Sequence, residues 1–274
     1  ALAKAELATA MPVSGGTYFY LDRAFGPFMG TISGVGLWMS LLLKSSFALI
    51  GFGAYLDVLT DLPLRPLALL LLAVIVVLNS LGVKKVGRVQ LVMAVTAVVG
   101  LIFLAFLGLT RFESHFMRPF FSSGSAGFLA TLAFVYVSFA GVTKVAAIAE
   151  EVRDPGRNLP RGILISLGGV TALYCLVTFV LAGVLGPSLP GDIRPIYSLA
   201  LVAGGPALGV AAAVLGVLTL TSMANSGLLA ASRFPFAMSR DDLLPRRLAQ
   251  LHPRFMTPIS CVVITALVMA AAIV

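Results

Sequence analysis

Charge is what this sequence has least of. Only 11% of its 274 residues are Asp, Glu, Lys or Arg, against 59% hydrophobic residues and a mean hydropathy of +1.04. A water-exposed globule of this length needs far more charge to cover its surface, so that class is excluded. Cysteine and histidine are scarce too, with two of each. Cys175 and Cys261 lie in apolar runs, and no Cys/His spacing marks a metal centre. There is no nucleophile–base pair, no paired-carboxylate site and no phosphate-cradling loop. We therefore expect no metal, no cofactor and no enzymatic activity. The amino terminus also lacks the basic region and short apolar core of a secretory signal.

What is there instead is apolar length. Residues 66–83, 89–110, 119–143, 162–191, 195–232 and 255–274 hold no Asp, Glu, Lys or Arg, and 27–56 is interrupted only by Lys44. A helix needs ~20 apolar residues to cross roughly 30 Å of hydrocarbon. Helices are the expected form, because lipid offers backbone groups no partners. The runs also lack the two-residue alternation of a barrel strand. The expectation is one all-α integral membrane domain over 1–274. It has a partial helix at 1–11 and spans at about 27–56, 66–83, 89–110, 126–149, 162–186, 206–232 and 258–274. Both ends look cut, so we expect a helix or more beyond each.

The net charge of +8 would suggest nucleic acid in a soluble protein. Here the basic residues sit between apolar runs, and topology explains them. Threading the spans alternately puts twelve Lys and Arg on one side and four (Arg65, Arg111, Arg118 and Arg194) on the other. The positive-inside rule places the richer side in the cytoplasm. The expected setting is a multi-pass protein of the cell (inner) membrane, whose partner is the lipid bilayer and not nucleic acid.

The residues 24–30 and 203–209 share the pattern A-x-G-P-x-x-G, and each opens a long span. By the charge count they start on opposite sides of the membrane. That is the relation expected of an inverted-topology repeat, a common transporter plan.

Span 126–149 carries Phe139-Ala140-Gly141-Val142-Thr143-Lys144. Small residues let a helix open locally, and a lysine at the centre of a span costs roughly 2.5–3.5 kcal/mol. Lys44 is a second mid-span lysine. All eleven acids lie in loops or at span ends, so neither lysine has a carboxylate at its depth. Four alternatives stay open for each: a neutral amine, an amine aimed at carbonyls of a broken helix, a partner on a missing helix, or snorkelling to the interface. After the span come Glu150, Glu151, Arg153, Asp154, Pro155, Arg157, Asn158 and Pro160. This is either a solvated turn, with Asn158 near a helix cap and Pro160 in the first turn, or an ion-pair network closing a cytoplasmic gate. Thr219, Thr221, Ser222, Asn225 and Ser226 form a polar stripe on span 206–232. Such a stripe lines a pathway or bonds a neighbouring helix.

Three stretches resemble the amino acid–polyamine–organocation transporters. Ala5-Glu6-Leu7-Ala8 with Met11-Pro12 and Gly15-Gly16-Thr17-Tyr18 is similar to the end of that family's second helix. Glu150-Glu151-Val152 with Pro155, Arg157, Asn158 and Pro160 resembles the loop after the sixth. Ser232-Arg233, Arg240-Asp241, Leu244-Pro245 and Pro258 resemble the segment between the eighth and ninth. The resemblance runs from the second helix into the ninth. It implies an inverted-repeat, five-plus-five transporter fold, incomplete here at both ends, and a permease moving amino acids by alternating access. Coupling to protons, to another cation or to exchange stays open. It further implies substrate held by the sixth helix at Val137, Ser138, Phe139, Ala140, Gly141 and Thr143, with the α-amine on exposed carbonyls. Coupling falls to Lys144 and Lys44, and a cytoplasmic gate to Glu6, Glu150, Glu151, Arg153 and Arg157. Two departures stand out. Thr143 replaces an acid found in many relatives, and the stretch 93–98 on the fifth helix lacks the lysine that some carry. A membrane-embedded enzyme, and a channel or structural subunit, are the rival readings.

Overall fold

A computed structural model describes residues 2–11, 16–60, 62–80, 83–117, 124–141, 152–253, 255 and 257–273. The described residues are helical and contain no strand. Two short helices come first, α1 (Leu2–Ala10) and α2 (Thr17–Phe25). Then come α3 (Pro27–Leu56), α4 (Leu64–Ser80), α5 (Val83–Gly108) and α6 (Gly124–Ser138). The last three are α7 (Pro155–Leu185), α8 (Pro195–Arg240) and α9 (Ile259–Ile273). Stretches 27–56, 89–111, 155–188 and 195–240 are long and apolar enough to cross a membrane, and α4, α6 and α9 are shorter apolar helices. Proline opens α3, α7 and α8. At that position its missing N–H removes a donor that has no intrahelical partner anyway.

Several boundaries differ from the sequence expectation, two of them instructively. The helix after the acidic loop starts at Pro155, with Asp154 in a left-handed conformation just before it. Pro160 therefore lies inside α7, and the Asn158 amide donates to the Arg153 carbonyl at 2.7 Å. Further on, α8 does not stop where charge reappears at Arg233 but continues to Arg240. Packing carries it on: Phe234 and Met238 are fully buried against Tyr18 and Leu41, and Arg233 itself is only 6% exposed.

The repeated Gly-Pro pattern has a structural counterpart. Gly26 sits at φ 85°, ψ 172°, and Gly205 at φ 78°, ψ −170°. This region of backbone space is open essentially to glycine alone. In both copies a proline follows and a long helix leaves the kink. The two segments thus share a backbone conformation as well as a residue pattern.

α3 and α8 pack along one another and carry the core. Leu42 and Leu49 of α3 meet Leu72 and Ile75 of α4, Leu228 of α8 and Met269 of α9. The Trp38 indole donates to the Thr265 hydroxyl at 3.1 Å, joining α3 to α9. A second cluster ties α5, α7 and α8 through Ala105, Val180, Leu185 and Leu199. α6 stands apart: it buries none of its residues, and Tyr136 is 80% exposed.

Candidate functional site

The regular ladder of α6 ends at Ser138, and Phe139–Gly141 form a tighter 3₁₀ turn. The last four carbonyls of an α-helix have no amide four residues on and take other donors, among them the i→i+3 bonds of such a turn or a side chain from another helix. The Ser138 hydroxyl adds to the local distortion by donating to the Phe134 carbonyl at 3.1 Å. These carbonyls also form the negative end of the helix dipole, so the break attracts a cation.

A lysine side chain is in fact there. The Lys44 amine donates to the Val137 carbonyl, across from the middle of α3. Of the alternatives open for Lys44, this is the amine aimed at a carbonyl of a broken helix. Its neighbours Ser45 and Ser46 are buried and donate to the Leu41 and Leu42 carbonyls of their own helix. Among the described residues Lys44 forms no ion pair with an acid. Beside the turn lies a cavity of about 200 Å³, lined by Ser138, Phe139 and Gly141 on one side and by Ile163, Ser166 and Tyr174 of α7 on the other. Phe139 meets Tyr174 edge-on, ring centroids 5.4 Å apart. Gly141 opens onto free space, since a Cβ there would meet no atom within 4 Å.

The structure therefore brings together Val137, Ser138, Phe139, Ala140, Gly141 and Lys44. Thr143, Lys144, Glu150 and Glu151 lie outside the described residues. Of the remaining gate residues, Glu6 lies on α1, which packs against α7, where Arg157 sits in the first turn. Glu6, Arg153 and Arg157 are exposed, and no ion pair joins Glu6 to either arginine.

Two polar connections escaped the sequence reading. Asn79 of α4 donates to the Asn225 side-chain oxygen at 2.6 Å, and the Asn225 amide donates to the Gln90 side-chain oxygen of α5 at 3.2 Å. Gln90 in turn donates to the Ser222 carbonyl at 3.4 Å. Asn225 of the polar stripe thus bonds neighbouring helices, whereas Thr219 and Thr221 donate to carbonyls of α8 itself. The second connection joins the buried Tyr18 hydroxyl of α2 to the Asp241 carboxylate beyond α8, at 2.8 Å. Burial first, and then the bond to Asp241, push the Tyr18 phenol above its ordinary range.

Comparison with known proteins decides what this arrangement belongs to. The family model described as "Amino acid permease" matches residues 1–274. The chain belongs to the amino acid permease family. It is 29% identical over 280 residues to the branched-chain amino acid permease BcaP of Bacillus subtilis, covering 94% of this chain and 60% of that protein. It is 25% identical over 279 residues to cationic amino acid transporter 5 of Arabidopsis thaliana, covering 96% of this chain and 49% of that one. Over 153 residues it is 35% identical to the methylthioribose transporter of Bacillus subtilis, covering 56% of this chain and 33% of that one. The chain spans about half the length of the curated relatives that it matches throughout. As a member of this family it is a multi-pass membrane protein, with the all-α architecture described above.

Proposed function

We propose that the full protein is a secondary active transporter that moves amino acids across the cell membrane by alternating access. The observation that carries the reading is the change from α-helix to 3₁₀ turn at Ser138–Phe139, where the Val137 carbonyl accepts from the Lys44 amine of α3. Substrate is held at Val137, Ser138, Phe139, Ala140, Gly141 and Thr143, its α-amine on the freed carbonyls. The relative named a branched-chain amino acid permease matches almost the whole chain, whereas the one named for methylthioribose matches little more than half. This favours amino acids as the cargo. Lys44 and Lys144 supply the charge that couples transport to a proton or another cation, or to exchange. Lys144 lies three residues from Gly141, hence on the same helical face if the helix resumes. Glu6, Glu150, Glu151, Arg153 and Arg157 make up the cytoplasmic gate, on the side that the basic residues assign to the cytoplasm.

The test is uptake of radiolabelled amino acids by the full protein in liposomes, with Gly141→Leu as the variant. A Cβ at Gly141 meets no atom within 4 Å, so the leucine side chain extends into the substrate space. Uptake is expected to fall at least tenfold at unchanged expression. Undiminished uptake by Gly141→Leu would remove the site from this stretch.

A further inference from the structure

An ammonium in the middle of a membrane helix needs compensation. Lys44 has the Val137 carbonyl and, among the described residues, no carboxylate. The carbonyl end of α6 offers only about half a unit of negative charge. The same carbonyls are where the proposed function puts the substrate's own ammonium. Two ammonium groups are thus directed at one set of acceptors, and one of them is tethered.

We infer that Lys44 determines specificity: it makes this a site for amino acids of zero net charge and closes it to cationic ones. The inference rests on the proposed function. A zwitterion answers the arrangement group by group. Its carboxylate meets the Lys44 ammonium, and its ammonium takes the carbonyls that Lys44 leaves. A cationic amino acid brings a second positive charge that no acid among the described residues of the site answers. The neighbouring cavity does not help it, because among the described residues its walls, Ser138, Phe139, Gly141, Ile163, Ser166 and Tyr174 among them, include no acid. Two unit charges about 6 Å apart, at an effective dielectric constant of about 20, repel enough to weaken binding about a hundredfold. Family membership does not set this preference, since relatives named for branched-chain and for cationic amino acids both match nearly the whole chain.

The experiment is competition with radiolabelled leucine uptake by the full protein in liposomes, using norleucine and lysine as competitors. They share a backbone and have similar length, and differ in the terminal ammonium. In the wild type, lysine should compete about a hundredfold more weakly than norleucine. In Lys44→Gln the gap should shrink below tenfold, while Lys44→Arg, which keeps the charge, should retain it. A Lys44→Gln protein that transports leucine with an unchanged gap overturns the inference and leaves the transporter reading intact. So does a wild type in which lysine competes as well as norleucine, a result that stands whether or not the variants fold. A wild type that takes up no amino acid overturns the transporter reading, and the inference with it.

Discussion

The amide ladder from Asn79 through Asn225 to Gln90 is where a small change should have the most readable effect. Asn79 is 2% exposed and Asn225 7% exposed, and the 2.6 Å bond between them links α4 to α8. Asn225 also holds α5 through Gln90. In a bilayer an interhelical hydrogen bond contributes about 0.6 kcal/mol on average and about 1.7 kcal/mol at most, because the separated helices find other partners. The Asn79–Asn225 bond is short and buried, so it belongs near the upper figure. Asn225→Ala loses two such bonds and strands the Gln90 oxygen, so it should destabilise by about 1.5–3 kcal/mol. Asn79→Ala should cost less, about 1 kcal/mol. It breaks one interhelical bond but also removes a buried side-chain oxygen that has no partner. The two single variants and the double variant, unfolded by denaturant in bicelles, form a cycle whose coupling should be about 1–1.5 kcal/mol. A coupling below about 0.3 kcal/mol would show that the ladder is incidental to packing.

Two further outcomes follow from the same structure. An alanine Cβ at Gly183 would fall 2.0 Å from the Phe112 ring, which is stacked on Phe179, whereas one at Gly168 of the same helix would touch nothing. Thermal unfolding in detergent should therefore show Gly183→Ala destabilised by about 1–3 kcal/mol and Gly168→Ala unchanged or stabilised by up to about 1 kcal/mol. The Tyr18 phenol, on α2 outside the spans, is raised by burial and by Asp241. Its contribution to stability is complete below the unfolded value of about 10 and is lost as pH climbs from there towards the folded value. Tyr18→Phe should flatten the alkaline limb of a stability–pH profile, and an unchanged limb would assign that loss to other groups.

The membrane class was legible because it rests on long averages. Charge-free runs of twenty or more residues admit few explanations, and each becomes a helix for want of other backbone partners. Individual contacts were not. Asn79 and Gln90 are single polar residues at the margins of apolar runs, and nothing local says that they reach Asn225 across 146 and 135 residues of sequence, respectively. The bond from Tyr18 to Asp241 spans 223 residues and is equally silent in the sequence. The end of α8 was hidden for the opposite reason. Arg233 ends an apolar run by composition, but tertiary burial of Phe234 and Met238 keeps the helix going. At the candidate site the sequence exposed the problem, a lysine without an acid at its depth. It left four solutions, and the Lys44 amine is found donating to the Val137 carbonyl.

That pairing has a physical logic. A helix that loses its ladder in lipid leaves carbonyls without donors, and a lysine in the same layer brings donors without acceptors. Each defect alone costs several kcal/mol in hydrocarbon. Set opposite one another, as at Val137 and Lys44, they satisfy each other's hydrogen bonding and much of that penalty disappears. The charge does not disappear with it. One unit of positive charge stays in the layer against a partial negative dipole, and a passing molecule can complete the balance. On the reading proposed above, a zwitterion of zero net charge does so while crossing, its carboxylate answering the lysine and its ammonium the carbonyls. The pairing that makes the break tolerable in the empty protein is then also what makes it selective when filled.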